Sequence, residues 1–286
     1  MRTAILKNTA MAILLVILLS GRVFAVEGMV RSDDGLAISY EVSGKGEPAL
    51  VFVHGWSCDR GYWKDQISHF SKEHVVVAID LGGHGRSGLD RGNWSIEAFG
   101  ADVAAVVEAL DLKKVILVGH SMGGPVAAIA SNLLPGRVAG IIGVDTFKSL
   151  ESKLPEGQIA FFLQNFQTDF RSFTKSFAAS MFPAGADTAL ARSVCDDMAS
   201  APPGVGIGAM GNMLRLDARK VFGRVTVPVI AINTDRPPTD VEAGRRLLKS
   251  FEVKTMTGRG HFLMMEDPAG FNALLEEAVE EMAPGK

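Results

Sequence analysis

Short, unbroken apolar runs rich in β-branched residues recur along the chain, and they decide its fold class. Residues 49–53 read ALVFV, 75–79 VVVAI, 115–118 VILV and 138–144 VAGIIGV. A strand with one wet face alternates apolar and polar residues, whereas a strand that is apolar throughout must be covered on both sides. The intervening stretches carry helical spacing. One helix is expected over 62–70, and another from Ser95, a capping residue, to Leu110 with Glu97 near its positive end. A third runs over 122–134, where Pro135 stops it. Strands at 229–232 and 251–256 flank a helix near 241–248, and a last helix spans about 268–282. Residues 36–42 read as a further strand, closed by the turn Ser43-Gly44-Lys45-Gly46. Buried strands separated by helices imply a mostly parallel sheet with helices on both faces.

Residues 147–218 break this rhythm. The segment holds no clear strand and is rich in Phe and Met, among them Phe161, Phe162, Phe166, Phe170, Phe173 and Phe177. It is expected to be a helical insertion over the carboxyl ends of the strands, between core segments 26–146 and 219–286.

The first 25 residues are set apart. Arg2 and Lys7 give a positive start, 10–19 is apolar, and Val23-Phe24-Ala25 places small residues at the −3 and −1 positions of a cut after Ala25. This is the pattern of a secretory signal peptide, with an apolar run short for a membrane span. A periplasmic or secreted protein is expected, with no stable membrane insertion after cleavage; the alternative is an uncleaved N-terminal membrane anchor. The net charge of −3, with no long run of Lys or Arg, excludes a nucleic-acid partner. Cys58 and Cys195 are the two cysteines, paired or free, and no spacing of Cys and His suggests a metal.

The chemistry centres on Gly119-His120-Ser121-Met122-Gly123-Gly124, which follows the 115–118 strand and opens a helix. Small flanking residues let the backbone turn sharply there. The turn lifts the serine hydroxyl out of the sheet, beside the unpaired N–H groups of a helix N-terminus. Three further segments end strands: His54-Gly55-Trp56, Asp80-Leu81-Gly82-Gly83-His84-Gly85-Arg86-Ser87 and Gly258-Arg259-Gly260-His261-Phe262. In order and spacing, these four segments resemble the α/β-hydrolase superfamily over nearly the whole chain after residue 30. The resemblance implies the α/β-hydrolase fold with a helical cap insertion.

It also implies roles. Ser121 matches the nucleophile and His261 the general base. The backbone N–H groups of Trp56 and Met122 match the donors of the oxyanion hole. His54, His84 and His120 are read as structural, and His69 and His74 as surface residues. The triad acid has two candidates. Asp235 lies in the Ile232-Asn233-Thr234-Asp235 run, near the usual place but without the usual glycine, and next to Arg236. Asp145 ends the 138–144 strand, where some haloalkane dehalogenases of this fold carry their acid, and it is favoured. Asp240 is a distant third, expected instead to cap a helix. Dehalogenases and epoxide hydrolases of this fold attack with Asp at the elbow, whereas this chain has Ser121. His-Gly-Trp and the small elbow also resemble the perhydrolase and non-haem haloperoxidase branch. The expected function is a carboxylesterase-like serine hydrolase that cleaves an ester, thioester or lactone of a small apolar substrate through an acyl-enzyme, without cofactor. The alternatives are a C–C bond hydrolase on the same site and a receptor-like binding protein with little turnover.

Overall fold

The computed structural model describes residues 25–151 and 153–283. The expected signal peptide, Ala25 apart, lies outside the described residues. Eight strands form one sheet: β1 Val26–Arg31, β2 Ala37–Gly44, β3 Ala49–Val53, β4 Val75–Ile79, β5 Val115–His120, β6 Val138–Val144, β7 Val229–Thr234 and β8 Phe251–Met256. Their order is β1-β2-β4-β3-β5-β6-β7-β8. β2 runs antiparallel to β1 and β4, and every other pairing is parallel. β3 and β5, fully buried along their length, occupy the middle. This is the α/β-hydrolase fold.

The strand β1 escapes a search for apolar runs. It is a mostly exposed edge strand, held by its ladder to β2, so no continuous apolar stretch marks it. β5 runs to His120, two residues past the expected end, because Gly119 and His120 still pair with Gly143 and Val144.

Helices α1 Lys64–Phe70, α2 Ile96–Ala109 and α3 Gly123–Leu133 link the first strands. The Ser95 hydroxyl caps α2 by accepting the Ala98 N–H at 3.1 Å. Among the described residues, four helices lie within 147–217: α4 Glu156–Thr168, α5 Phe170–Ala179, α6 Thr188–Met198 and α7 Pro203–Leu214. No strand occurs there among the described residues. After them come α8 Ala218–Phe222, α9 Val241–Leu247, α10 Leu263–Glu266 and α11 Pro268–Met282. α2 and α3 pack together in one layer and α1 and α11 in another. No helix among the described residues is long and apolar enough to cross a membrane. Cys58 and Cys195 are free thiols, Cys58 buried.

The loops at the carboxyl ends of the strands are tied to one another by buried polar groups. His54, after β3, donates from Nδ1 to the Gly55 carbonyl (2.8 Å) and accepts the Leu81 N–H at Nε2 (3.0 Å). The Asp80 carboxylate, after β4, accepts the N–H groups of Arg60 and Arg86. His84 donates from Nδ1 to the Gly82 carbonyl at 2.9 Å. His74, expected at the surface, is buried, with Nδ1 2.8 Å from the Pro48 carbonyl. It closes the turn before β3, a contact between segments that a linear reading does not reveal.

Burial keeps His54, His84 and His120 neutral. It pushes His54 down to about 4 and His84 and His120 down to about 3, from an ordinary value of 6.5. The folded values lie below the unfolded one, so the unfolded chain binds more protons as the pH falls below 6.5. Stability contributed by neutral burial is therefore intact above about pH 7 and is lost progressively from 6.5 down through the folded values of about 4 and 3. The melting temperature should drop by roughly 10 °C or more from pH 7 to pH 4.5. His84→Asn, which keeps a donor toward the Gly82 carbonyl, should reduce that drop by about a third. Equal melting temperatures at the two pH values would contradict this.

Candidate active site

Ser121 sits where β5 becomes α3, with φ of 51°, in the left-handed region that side chains avoid. Its N–H donates to the Val144 carbonyl at 2.9 Å, and its carbonyl accepts the Gly124 N–H at 3.0 Å. The flanking glycines follow from close approach. A Cβ on Gly119 would lie 2.2 Å from the Gly123 carbonyl oxygen, and one on Gly123 would lie 2.4 Å from that of Val53. Met122 is fully buried and heads α3, where the first N–H groups lack intrahelical acceptors.

The loop after β8 presents His261. Its N–H donates to the Met181 carbonyl (3.0 Å), and its own carbonyl accepts a bond from His120 Nε2 (2.9 Å). Phe262 is fully buried behind it. The two backbone bonds fix where the imidazole points, and ring Nδ1 lies 2.7 Å from Asp145 Oδ2.

Asp145 follows β6 with φ of 45°, donating its N–H to the Ile232 carbonyl at 3.0 Å. Its second oxygen, Oδ1, accepts from the Thr234 N–H (3.0 Å), lies 2.9 Å from the Thr234 hydroxyl and meets Lys148 Nζ at 2.8 Å. Burial alone would raise this carboxyl. The hydrogen bond and charge of His261, joined by Lys148 and the Thr234 amide, hold it well below the usual carboxylate range. Asn233 reinforces the junction of β6 and β7, accepting the Thr146 N–H (3.0 Å) and donating to the Thr146 carbonyl (2.9 Å).

The other acidic candidate is directed elsewhere. Asp235 accepts the Gly258 N–H at 3.1 Å and lies 3.8 Å from Arg236 Nε, so the bond to His261 Nδ1 belongs to Asp145. Asp240 caps α9 by accepting the Ala243 N–H. Lys148 and Thr234 were not singled out in the sequence. Their only signal was nearness to the two aspartates.

Ser121, His120 and His261 line a small cavity of about 40 Å³. Trp56, Cys58 and Phe262 close it from the core, and Phe177, Met181, Met198, Met210 and Met213 close it from α5–α7 and the turn after α5. Trp56 is anchored by its indole N–H on the Gly206 carbonyl (2.7 Å) and by edge contacts to Phe166, Phe170 and Phe177. A far larger open cleft, about 710 Å³, lies between α1 and α11 around His69, Lys72 and Glu276. It holds none of the residues gathered around Ser121, so its size does not make it the site. Among the described residues no cluster of three or more His, Cys, Asp or Glu is placed to hold a metal ion.

Known proteins match this architecture. A family model described as "Alpha/beta hydrolase family" matches residues 50–274. A non-heme chloroperoxidase of Streptomyces lividans is 41% identical over 116 residues, 39% of this chain and 42% of that protein. The match thus spans less than half the relative's length. A 3-oxoadipate enol-lactonase of Acinetobacter baylyi is 23% identical over 90% of this chain and 98% of its own. The solved structure of an esterase from Exiguobacterium antarcticum superposes with a TM-score of 0.79 at 18% identity, covering 88% of this chain and 98% of that one. The family match spans most of the chain and agrees with the strand order around the Ser121 turn: the chain belongs to the alpha/beta hydrolase family.

Proposed function

We propose that the chain is an exported serine hydrolase that cleaves an ester, thioester or lactone carrying a short apolar acyl group. The observation that carries this reading is the 2.7 Å contact between His261 Nδ1 and Asp145, with His261 and Ser121 on the walls of one cavity. With Nδ1–H donated to the carboxylate, Nε2 keeps its lone pair free for a proton.

In this reading Ser121 Oγ attacks the acyl carbonyl as His261 Nε2 takes the hydroxyl proton. The N–H groups of Trp56 and Met122 stabilise the oxyanion. Collapse expels the alcohol or thiol, which receives the proton from His261, and leaves an acyl-Ser121 ester. A water, deprotonated by His261, then attacks that ester. The acid is released and Ser121 regains its proton. Asp145 stays ionised throughout, fixes the imidazole tautomer and stabilises the imidazolium.

Residues 147–218 act as a cap on a core made of 26–146 and 219–286, and their Phe and Met side chains set the size limit. A cavity of about 40 Å³ favours short acyl groups. The flexible Met side chains give longer groups limited room. Export is supported by the positive start at Arg2 and Lys7, the apolar run over 10–19 and the small residues Val23 and Ala25.

Asp145→Asn should lower kcat on the order of 10²- to 10⁴-fold, whereas Asp235→Asn should stay within a few-fold of the parent. Steady-state kinetics on folded variants decide this, and the reverse ranking would overturn the choice of acid. Among p-nitrophenyl esters, kcat/KM should fall at least about tenfold between propionate and octanoate, since the longer chain must displace packed cap side chains. A flat or rising series would remove the size limit. Protein recovered from the exported fraction should have an intact mass that begins at Val26; a mass that retains residues 1–25 would refute export with cleavage.

A further inference from the structure

Lys148 is a largely buried cation, its side chain 12% exposed. Its ammonium lies 2.8 Å from Asp145 Oδ1 and donates to the Thr234 hydroxyl at 2.7 Å and the Arg236 carbonyl at 3.2 Å. These partners match its three N–H donors. The Asp145 carboxylate is thereby divided, with one oxygen toward His261 and the other toward a fixed positive charge.

We propose that Lys148 is a positioning residue that lowers the basicity of His261 through the Asp145 carboxylate they share. The inference rests on the reading of Asp145 as the triad acid. A carboxylate whose charge is partly offset by an adjacent ammonium holds an imidazolium less strongly than a lone carboxylate does. The site is partly buried, so the offset is poorly screened by water. The accompanying cost is weaker stabilisation of the imidazolium formed during attack.

The other charged groups facing this pair are already engaged. The His120 ring, 4.6 Å from that of His261 between centroids, is buried and kept neutral. Arg259 pairs with Asp267 at 3.0 Å, and Glu266 accepts the Gly260 N–H. Asp235 accepts the Gly258 N–H beside Arg236, Asp240 caps α9, and Glu151 pairs with Arg246 at 2.6 Å. Lys148 is thus the cation in contact with Asp145 among the described residues. Its backbone carbonyl accepts the Asp240 N–H at 2.9 Å, a tie that side-chain substitution leaves in place. A purely structural Lys148 would hold the loop after β6 against β7 and have no effect on the titration of His261.

The test is the pH dependence of kcat/KM for p-nitrophenyl acetate between about pH 4.5 and 9, which reports ionisation of the free enzyme. Parent, Lys148→Met, Lys148→Gln and Lys148→Arg are compared, with Asp145→Asn alongside. The acidic limb should move up by on the order of one pH unit in the two neutral variants and stay near the parent in Lys148→Arg. The rate of inactivation by a fluorophosphonate, followed over the same range at low temperature, reads the same limb on the folded fraction if a variant melts early. Neutral variants whose limb coincides with the parent's, beside an inactive Asp145→Asn, would overturn the role of Lys148 alone. An Asp145→Asn enzyme with normal turnover would overturn the reading beneath it as well.

Discussion

The Asp145 carboxylate is where the two halves of this molecule meet. It is a charge taken largely out of water, and such a charge persists only if its lone pairs are occupied by good donors. Here the donors come from three places. His261 lies on the loop after β8, Thr234 ends β7, and Lys148 sits three residues farther along the loop after β6. Each bond costs little once the parallel ladder has placed Val144 beside Ile232, because the ladder brings the strand ends into range before the side chains meet. Removing the carboxylate would leave a buried ammonium without its counter-charge and an imidazole free to rotate. The same cluster thus holds the end of the sheet together and orients the group that would take a proton from Ser121.

Backbone strain gathers at these strand ends. Among the described residues, Ser57, Asp111, Ser121, Asp145 and Phe147 adopt positive φ without being glycine. Four of the five lie on the loops after β3, β5 and β6, and Ser121 lines the small cavity. Such conformations cost of order 1–3 kcal/mol each and persist only where the surroundings over-determine them. At Ser121 the over-determination is visible: a backbone bond to Val144, and glycines on either side so close to neighbouring carbonyls that a methyl group would collide. Helices α4–α7 add a second constraint. Trp56, which lines the cavity with Ser121, is locked by the Gly206 carbonyl and three phenylalanine rings, so the shape of the site depends on α4, α5 and α7 as well as on the sheet.

Much of this was legible in the amino-acid order, for local reasons. Runs such as ALVFV and VVVAI announce a buried parallel sheet by periodicity, and the glycines around Ser121 announce a tight strand-to-helix turn. Edge strand β1 was not legible, because its stability comes from its ladder to β2 and not from an apolar pattern. His74 was misplaced because its burial depends on Pro48, across a turn. The choice between Asp145 and Asp235 was open because both follow neighbouring strands. The hydrogen-bond partners that set them apart in the structure, Thr234 for Asp145 and Gly258 for Asp235, lie 89 and 23 residues away in the chain. The charge of Lys148 was plain in the sequence, but its effect on His261 depends on which oxygen of Asp145 it meets.

The central claim is that the Ser121 hydroxyl is the activated nucleophile of this cavity. Labelling with a fluorophosphonate, followed by intact mass and peptide mapping, reads it directly, because the reagent forms a stable bond with a serine deprotonated by a neighbouring base. The account predicts one adduct per chain, carried by the peptide that contains Ser121 and absent from Ser121→Ala. An adduct on another serine, or a folded parent protein that takes up no label, would contradict it.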